Sequence, residues 1–294
     1  MNWTRRDFLG GATGFAATMA FGQAAAVKTA VAEFPSPLIV GTFDPKGNHI
    51  QGACASDDAI YLSQMNGLYK FDWSGKLLKR LPVISHTGDL CFYKGEVYTS
   101  VSVYHNARKC KGLIQVFDSD LNFVREKELD RGTDGVTVLN GVLYLGMGSV
   151  GQVGNKPHRE NLVGRFRPET LEEIDRKPID CGMETCFGAQ NITTDGKDLY
   201  FSFYPAKLGD PPLAVFHADL SFDRMIPMKQ SPNNGFDLLP ERLRAGHTRF
   251  LRVQTLMKYG PESLPHAKID FVERVGDKMR SLTSAGRSRT GTVR

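Results

Sequence analysis

The hydrophobic and polar positions along the chain form a pattern that recurs about every 50 residues. In each copy, a short run that alternates apolar and polar residues contains a Phe, and a turn and a second short run follow. The runs are centred on Phe71, Phe117, Phe166 and Phe216, at spacings of 46, 49 and 50 residues. Alternation over such short runs, bounded by turn residues, predicts β-strands.

Two further segments precede each Phe run. The nearer one is a β-prone run with a Tyr after a polar turn, and these tyrosines are Tyr61, Tyr98, Tyr144 and Tyr200. The farther one is a polar opening that contains glycine. Four short strands per period, with little helical periodicity, are typical of a β-propeller blade.

The fold class is therefore all-β, and we predict a five-bladed β-propeller, with six blades as the alternative. A fifth, looser copy covers residues 234–271, and a helical turn is compatible with residues 237–245. The strand predicted at residues 38–42 has no partner in its own copy. We expect it to complete the last blade and close the ring, which removes an exposed strand edge.

The N-terminus carries features of an export signal. Residues 4–9 read Thr-Arg-Arg-Asp-Phe-Leu, an apolar stretch rich in Gly and Ala follows, and residues 30–32 offer a small-residue cleavage site. This segment closely resembles a twin-arginine signal, which implies the twin-arginine translocation machinery as a partner and a periplasmic or extracellular location. The apolar stretch is too short and too weakly hydrophobic for a stable membrane span in the mature form.

Charge is concentrated at the two ends of the chain. The formal net charge is +5, of which residues 1–32 carry +2 and residues 277–294 carry +4, leaving −1 between them. A nearly neutral body argues against nucleic-acid binding, which needs a dense cationic surface. We predict a signal peptide at 1–32, one propeller domain at 33–276 and a disordered basic tail at 277–294.

Five cysteines are present, an odd number for an exported protein. Cys181 and Cys186 are close enough in sequence to clip a loop, and two free thiols are an equal alternative. Cys54 and Cys91 occupy matching positions in neighbouring copies, where they either bond or ligate, or serve as small buried residues.

A propeller brings the openings of its inner strands to one axis, and here those openings are polar. We predict that His49, His86 and Asp89 are catalytic, with Asp89 orienting the His86 imidazole. Asp134 and Asp237 are predicted ligands for Ca²⁺ or another divalent metal on the axis. The alternative is that these groups bind only one another and water in the tunnel.

Long loops between the second and third strands of the blades are expected on the same face. They cover residues 104–111, 147–161, 204–212 and 258–266, and three of them are basic. A cationic rim would attract a small anionic or carbohydrate ligand. The predicted substrate-binding residues are Gln51, Gln190, Asn234, His105, Arg108, His158, Arg159 and Lys207.

Over residues 38–275 the repeats resemble the exported propellers of the SMP-30/NHL and YVTN type. The resemblance implies a propeller with a central site, in a superfamily that includes lactonases, esterases, nucleotidases, glycosidases and binding proteins. We predict a hydrolase or lyase that acts on a small anionic or sugar-derived substrate; a non-catalytic propeller that binds a ligand or protein is the alternative. Five Cys and nine Met leave a copper-handling role as a third hypothesis.

Overall fold

The computed structural model of the chain describes residues 36–41, 43–84, 86–106, 109–148, 157–205, 212–228, 232, 234–260, 264–283 and 289–290. In this part of the chain, helical structure is confined to a 3-10 turn at Pro45–Gly47 and the short helix α1 at Glu241–Arg244. Neither is long and apolar enough to cross a membrane. The segment predicted to be a signal peptide, 1–32, lies outside the described residues.

The strands form the five blades of a β-propeller, and antiparallel pairing joins the strands within each blade. Strand β1 is Leu38–Val40. Blade 1 consists of β2 (Ile50–Ala55), β3 (Ala59–Gln64), β4 (Gly67–Asp72) and β5 (Leu77–Pro82). Blade 2 consists of β6 (Thr87–Tyr93), β7 (Glu96–Asn106), β8 (Lys109–Asp118) and β9 (Phe123–Leu129).

One long strand connects the next two blades. Blade 3 consists of β10 (Thr133–Leu139), β11 (Val142–Met147), β12 (His158–Phe166) and the first part of β13 (Glu173–Thr194). Blade 4 consists of the last part of β13, β14 (Leu199–Pro205), β15 (Leu213–Phe216) and β16 (Phe222–Ile226). The 22-residue β13 is thus the outer strand of one blade and the inner strand of the next.

Blade 5 includes both ends of the described chain. It consists of β17 (Phe236–Leu238), β18 (Arg249–Tyr259) and β19 (Leu264–Val275), followed by β20 (Lys278–Ser281) and β21 (Arg289–Thr290). Strand β1 pairs antiparallel with β19, from Leu38↔Ile269 to Val40↔Ala267. The strand that precedes blade 1 in sequence therefore lies in blade 5.

The prediction of a disordered tail from residue 277 is wrong for residues 278–281. They form β20, which pairs with the other half of β19 from Val275↔Lys278 to Val272↔Ser281. Gly276, with a φ of +59°, allows the tight turn that starts this hairpin. Met279 packs against the core between blades 4 and 5, and Leu282, just after β20, packs against the core between blades 5 and 1, which anchors a segment whose composition indicates disorder.

The hydrophobic core is divided into five clusters, and each cluster lies between two successive blades. Tyr61 and Leu68 of blade 1, for example, share a cluster with Leu90 and Phe117 of blade 2. Three clusters join blades 2–3, 3–4 and 4–5 in the same way. The fifth joins blade 5 to blade 1, so burial of apolar surface continues around the whole ring.

Three of the four recurring tyrosines connect their blade to the next one by donating a hydrogen bond. The hydroxyl of Tyr61 donates to the carbonyl of Ser119 at 2.9 Å, and that of Tyr98 donates to Pro168 at 3.4 Å. Tyr144 donates to the carbonyl of Ala218 at 2.7 Å. In each case the acceptor lies in the turn between the third and fourth strands of the following blade, so the repeat encodes contacts between blades.

We expect replacement of Tyr144 by Phe to lower the free energy of unfolding by about 1 kcal/mol. The change removes one buried hydrogen bond and leaves the Ala218 carbonyl without this donor, while the ring still fills the core. Urea denaturation of the two proteins, at an unchanged m-value, measures this difference. Equal midpoints would show that the hydroxyl contributes nothing to the junction between blades 3 and 4.

Candidate functional site

The inner strands of the five blades approach one another closely along the propeller axis, and glycine makes this possible. A Cβ at Gly52 of β2 would lie 2.4 Å from the Cα of Asp89, and one at Gly135 of β10 would lie 2.5 Å from the Ile192 side chain. Neither distance is tolerable for two carbon atoms. The openings predicted to be polar and glycine-containing are therefore the places where backbones pack directly against each other.

Asp89 joins four of these strands in a buried hub. Its Oδ2 accepts hydrogen bonds from the backbone N–H groups of Val136 in β10, at 3.1 Å, and Ile192 in β13, at 3.0 Å. Its Oδ1 accepts from the Asn191 amide at 2.9 Å, and the same amide donates to the carbonyl of Gln51 in β2. Burial raises the pKa of the Asp89 carboxyl well above its ordinary value, although these hydrogen bonds oppose the rise.

Asp237 forms a second junction between inner strands. Its Oδ1 accepts from the Thr193 hydroxyl at 2.8 Å, and its Oδ2 accepts from the Ala55 N–H at 3.2 Å. It thereby connects β17 to β13 and β2. Burial raises the pKa of this carboxyl to about 7 against the opposing hydrogen bonds from Thr193 and from the backbone.

Consecutive residues of β13 mark successive levels along the axis. Gln190 donates to Asp134 at 3.3 Å, Asn191 and Ile192 bind Asp89, and Thr193 binds Asp237. The two carboxylates predicted to share an axial metal therefore contact β13 on either side of the two residues that bind Asp89, and among the described residues neither belongs to a group of three possible metal ligands.

His49 and His86 lie together at the end of the axis where the inner strands begin, which we call the upper mouth. Burial lowers the pKa of both imidazoles, and the nearby His49 lowers that of His86 further. The Nε2 atom of His49 is buried without a hydrogen-bond partner. A pair of imidazoles held neutral presents nitrogen lone pairs that accept protons.

Asp134 lies on the blade 3 and blade 4 side of the same mouth. Burial raises the pKa of its carboxyl to about 7, although Gln190 donates a hydrogen bond to it. The pKa of Tyr204 is raised by burial and by the Asp134 carboxylate, and that of Cys110 by burial and Asp134 as well. Tyr204 and Cys110 are thus neighbours of Asp134 that the sequence analysis missed.

An exposed aromatic side chain and strained backbone occur at the same mouth. Phe187 is 40% exposed, and its ring meets that of Tyr204 edge to face at 5.9 Å. Asn48, His86 and Phe187, each just before the inner-strand part of its blade, have φ values of +61°, +70° and +62°. Non-glycine residues in this left-handed region cost free energy and concentrate at functional sites.

The remaining predicted ligand-binding residues are placed as follows. Gln51 and Gln190 are buried near the hub, and Asn234 accepts a hydrogen bond from the Thr255 N–H at 3.2 Å. His158 and Arg159 belong to β12, where Arg159 pairs with Asp180. The backbone of His105 is in β7, whereas Arg108 and Lys207 lie outside the described residues.

The expected long loop at 104–111 is mostly strand. β7 and β8 pair as far as Asn106↔Lys109, so the segment is an extended hairpin. Val101 and Val103 continue the alternating pattern of β7 up to the start of this segment, and Leu113 continues that of β8 after it.

All five cysteines are free thiols, including Cys181 and Cys186, and Cys54 and Cys91 are buried close to Asp237.

No protein-family model matches the chain, and neither does any curated protein. Solved structures similar to it include the GH43_1 enzyme from Xanthomonas citri, at 12% identity and a TM-score of 0.55, covering 85% of this chain and 98% of that one. A second is CoXyl43, a GH43 β-xylosidase/α-arabinofuranosidase from a compost microbial metagenome, at 11% identity and a TM-score of 0.55, covering 88% and 100%. A third is glutaminyl cyclase from Myxococcus xanthus, at 9% identity and a TM-score of 0.51, covering 82% and 100%. At these identities the likeness shows the five-bladed propeller fold alone.

Proposed function

We propose that the protein is an exported propeller enzyme whose upper mouth performs acid–base chemistry on a small anionic or sugar-derived molecule. The observation that carries the proposal is the set of titratable groups at the starts of three inner strands. Two imidazoles with lowered pKa values lie at the starts of blades 1 and 2, and a carboxyl with a pKa of about 7 lies at the start of the inner strand of blade 3. A base and an acid of this kind are matched to neutral pH.

In this proposal Asp134 gives a proton to the leaving group or oxyanion. His86, next to His49, accepts a proton from water or from an acidic C–H bond of the substrate. Gln190 and Tyr204 orient the substrate from the Asp134 side. Asp89 lies in the hub and holds the strands that carry His86 and Asp134, which makes it a positioning residue in place of the catalytic partner predicted from sequence.

The reaction class that this arrangement supports is hydrolysis or elimination, including cyclisation with loss of a small group. A glycosidase of the usual kind needs two carboxyl groups beside the scissile bond. Asp89 and Asp237 are engaged in strand junctions, so among the described residues Asp134 is the acid available at the mouth. The solved xylosidases are therefore a guide to the fold of this chain and less so to its chemistry.

A second candidate is a non-catalytic propeller that binds a ligand at the same mouth. The single available carboxyl and the exposed Phe187 beside Tyr204 favour it, because a polar pocket with an aromatic wall suits recognition as well as turnover. Export through the twin-arginine pathway and the resemblance to SMP-30/NHL and YVTN propellers belong to both proposals. They rest on Arg5, Arg6 and the repeat pattern.

The test is a turnover screen of esters, lactones, nucleotides and uronides with the wild type and two variants. We expect Asp134→Asn and His86→Gln each to lower kcat/KM on the active substrate by about 100-fold or more. Turnover should be greatest at pH values between the lowered pKa of the histidines and about 7, the pKa of Asp134. It should fall at higher pH, because Asp134 then loses its proton.

Asp120→Asn is the matched control, because the Asp120 side chain is 72% exposed and forms an ion pair with Lys70 at 2.7 Å in the turn between β8 and β9. It should retain full turnover. Thermal melting of all three variants excludes unfolding as the cause of a loss. Ligand binding without turnover in the wild type would favour the second candidate, and unaltered kinetics in Asp134→Asn would contradict the proposed acid.

A further inference from the structure

Three side chains of blade 4 converge on its surface, in contacts separate from those of the upper mouth. They are Asp198, immediately before β14, His217, immediately after β15, and Asp223 in β16. One potential ligand atom from each lies within 4.8 Å of the other two. Among the described residues, no other three side chains of Asp, Glu, His or Cys bring their ligand atoms this close together.

The burial of these three side chains is graded. Asp198 is 5% exposed, Asp223 is 26% exposed and His217 is 50% exposed. The Nδ1 atom of His217 lies 3.0 Å from Oδ1 of Asp198. A buried carboxylate, a more accessible imidazole and a second carboxylate beside them leave the group partly open to solvent.

Two of the three positions carry different chemistry in the other blades, whereas the position of Asp198 is also acidic in blade 2, where Glu96 binds Arg125. The strand register places Asp198 at the position of Ala59 in blade 1, and His217 at the position of Asp72. Asp72 accepts hydrogen bonds from backbone N–H groups in its own turn, and in blade 4 that role passes to Asp219. His217 is thereby released from the turn and faces Asp198.

Asp223 reaches the group because of a bulge. Every blade from 1 to 4 has an extra residue at this point of its fourth strand, and in blades 1–3 that residue is apolar and exposed: Leu78, Val124 and Ile174. Blade 4 alone among these has an acid there. Two departures from the repeat, His217 and Asp223, therefore meet beside Asp198, which turn formation and packing do not require.

We propose that Asp198, His217 and Asp223 bind a divalent transition-metal ion of the Zn²⁺ class, with water completing its shell. One imidazole and two carboxylates are a ligand set that zinc accepts, whereas calcium prefers oxygen ligands alone. Arg224 donates a hydrogen bond to Oδ2 of Asp223, so the ion competes with that guanidinium for the carboxylate. The bound ion would connect β14, β15 and β16 and hold the outer strand of blade 4 in place.

The experiment uses the tag-free full-length chain, with ZnCl₂ and CoCl₂ as probes. We expect one equivalent of Zn²⁺ by titration calorimetry, visible absorption from bound Co²⁺, and a melting temperature about 3 °C higher at a Zn²⁺ concentration ten times Kd. His217→Ala should abolish all three signals. Asp223→Asn should weaken them.

His247→Ala provides a closely matched control. His247 is 53% exposed, and its Nδ1 atom lies 3.0 Å from Oε1 of Glu273, a carboxylate that is 5% exposed. This pair repeats the His217–Asp198 geometry in blade 5 without joining a group of three ligands. The His247→Ala protein should bind Zn²⁺ as the wild type does.

Two results would overturn the inference. The first is the absence of saturable Zn²⁺ or Co²⁺ binding by the wild type. The second is binding that persists in His217→Ala or disappears in His49→Ala, which would place the ion at the upper mouth. The inference does not depend on the proposed function, since the metal titration requires no substrate.

Discussion

Replacing Asp89 with alanine is expected to destabilise the propeller more than any other single change at the axis, by about 3–5 kcal/mol. The variant leaves the N–H groups of Val136 and Ile192 and the amide of Asn191 without their shared acceptor. All three donors are buried where glycine packing leaves little room for water. Because a domain of this kind has a stability of about 5–15 kcal/mol, the variant should lose a large fraction of it and melt at a lower temperature.

Urea denaturation measures this loss, with Asp120→Ala as the control. Asp120 is an exposed aspartate whose ion pair with Lys70 is worth less than about 1 kcal/mol. A loss for Asp89→Ala no greater than that of the control would contradict the hub and return Asp89 to the catalytic role inferred from sequence.

The repeat could be predicted from sequence because the residues that recur with its period are side chains that face the core. Phe71 and its counterparts are buried, and the tyrosines that precede them contact the following blade. A period of about 50 residues with alternating patterning has few solutions other than a propeller. The blade count and the location of the polar openings follow from the same period.

The chemistry of the openings could not be predicted in the same way. Asp89 and Asp237 resemble metal or proton-transfer groups in sequence, yet each is used to join strands from different blades. The choice depends on which backbone N–H groups come within about 3 Å after the ring closes. That distance is set by glycine packing between strands that lie up to 180 residues apart.

Tyr204 illustrates the opposite error. It is the first residue of the segment 204–212 that was predicted to be a functional loop, and it was not singled out as a site residue. The structure places it near the end of β14 and close to Asp134. An aromatic residue that ends a second strand next to the axis is a signal that could have identified it.

The second large effect concerns pH and Asp237. Its pKa is about 7 in the folded protein, compared with about 3.8 in an unfolded chain. At pH values between these two, the unfolded chain has lost the proton and the folded protein keeps it. The protonated carboxyl therefore stabilises the folded protein at low pH, and this contribution is lost as the pH rises. The slope is about 1.4 kcal/mol per pH unit, which amounts to about 4 kcal/mol between pH 4 and 8.

Asp237→Asn has no proton to lose at this position. Its free energy of unfolding should therefore rise relative to that of the wild type as the pH rises. Unfolding free energies of both proteins at pH 5, 6, 7 and 8 measure the shift, and groups common to both, such as Asp89 and the histidines, cancel in the difference. Asp120→Asn should show a constant difference over the same range. A constant difference for Asp237→Asn would mean that the carboxylate is charged in the folded protein, with Thr193 and Ala55 outweighing the cost of burial. A shift of the expected size would show that Asp237 keeps its proton in the folded protein up to about pH 7, and therefore that the junction it forms between β17, β13 and β2 weakens in alkaline solution.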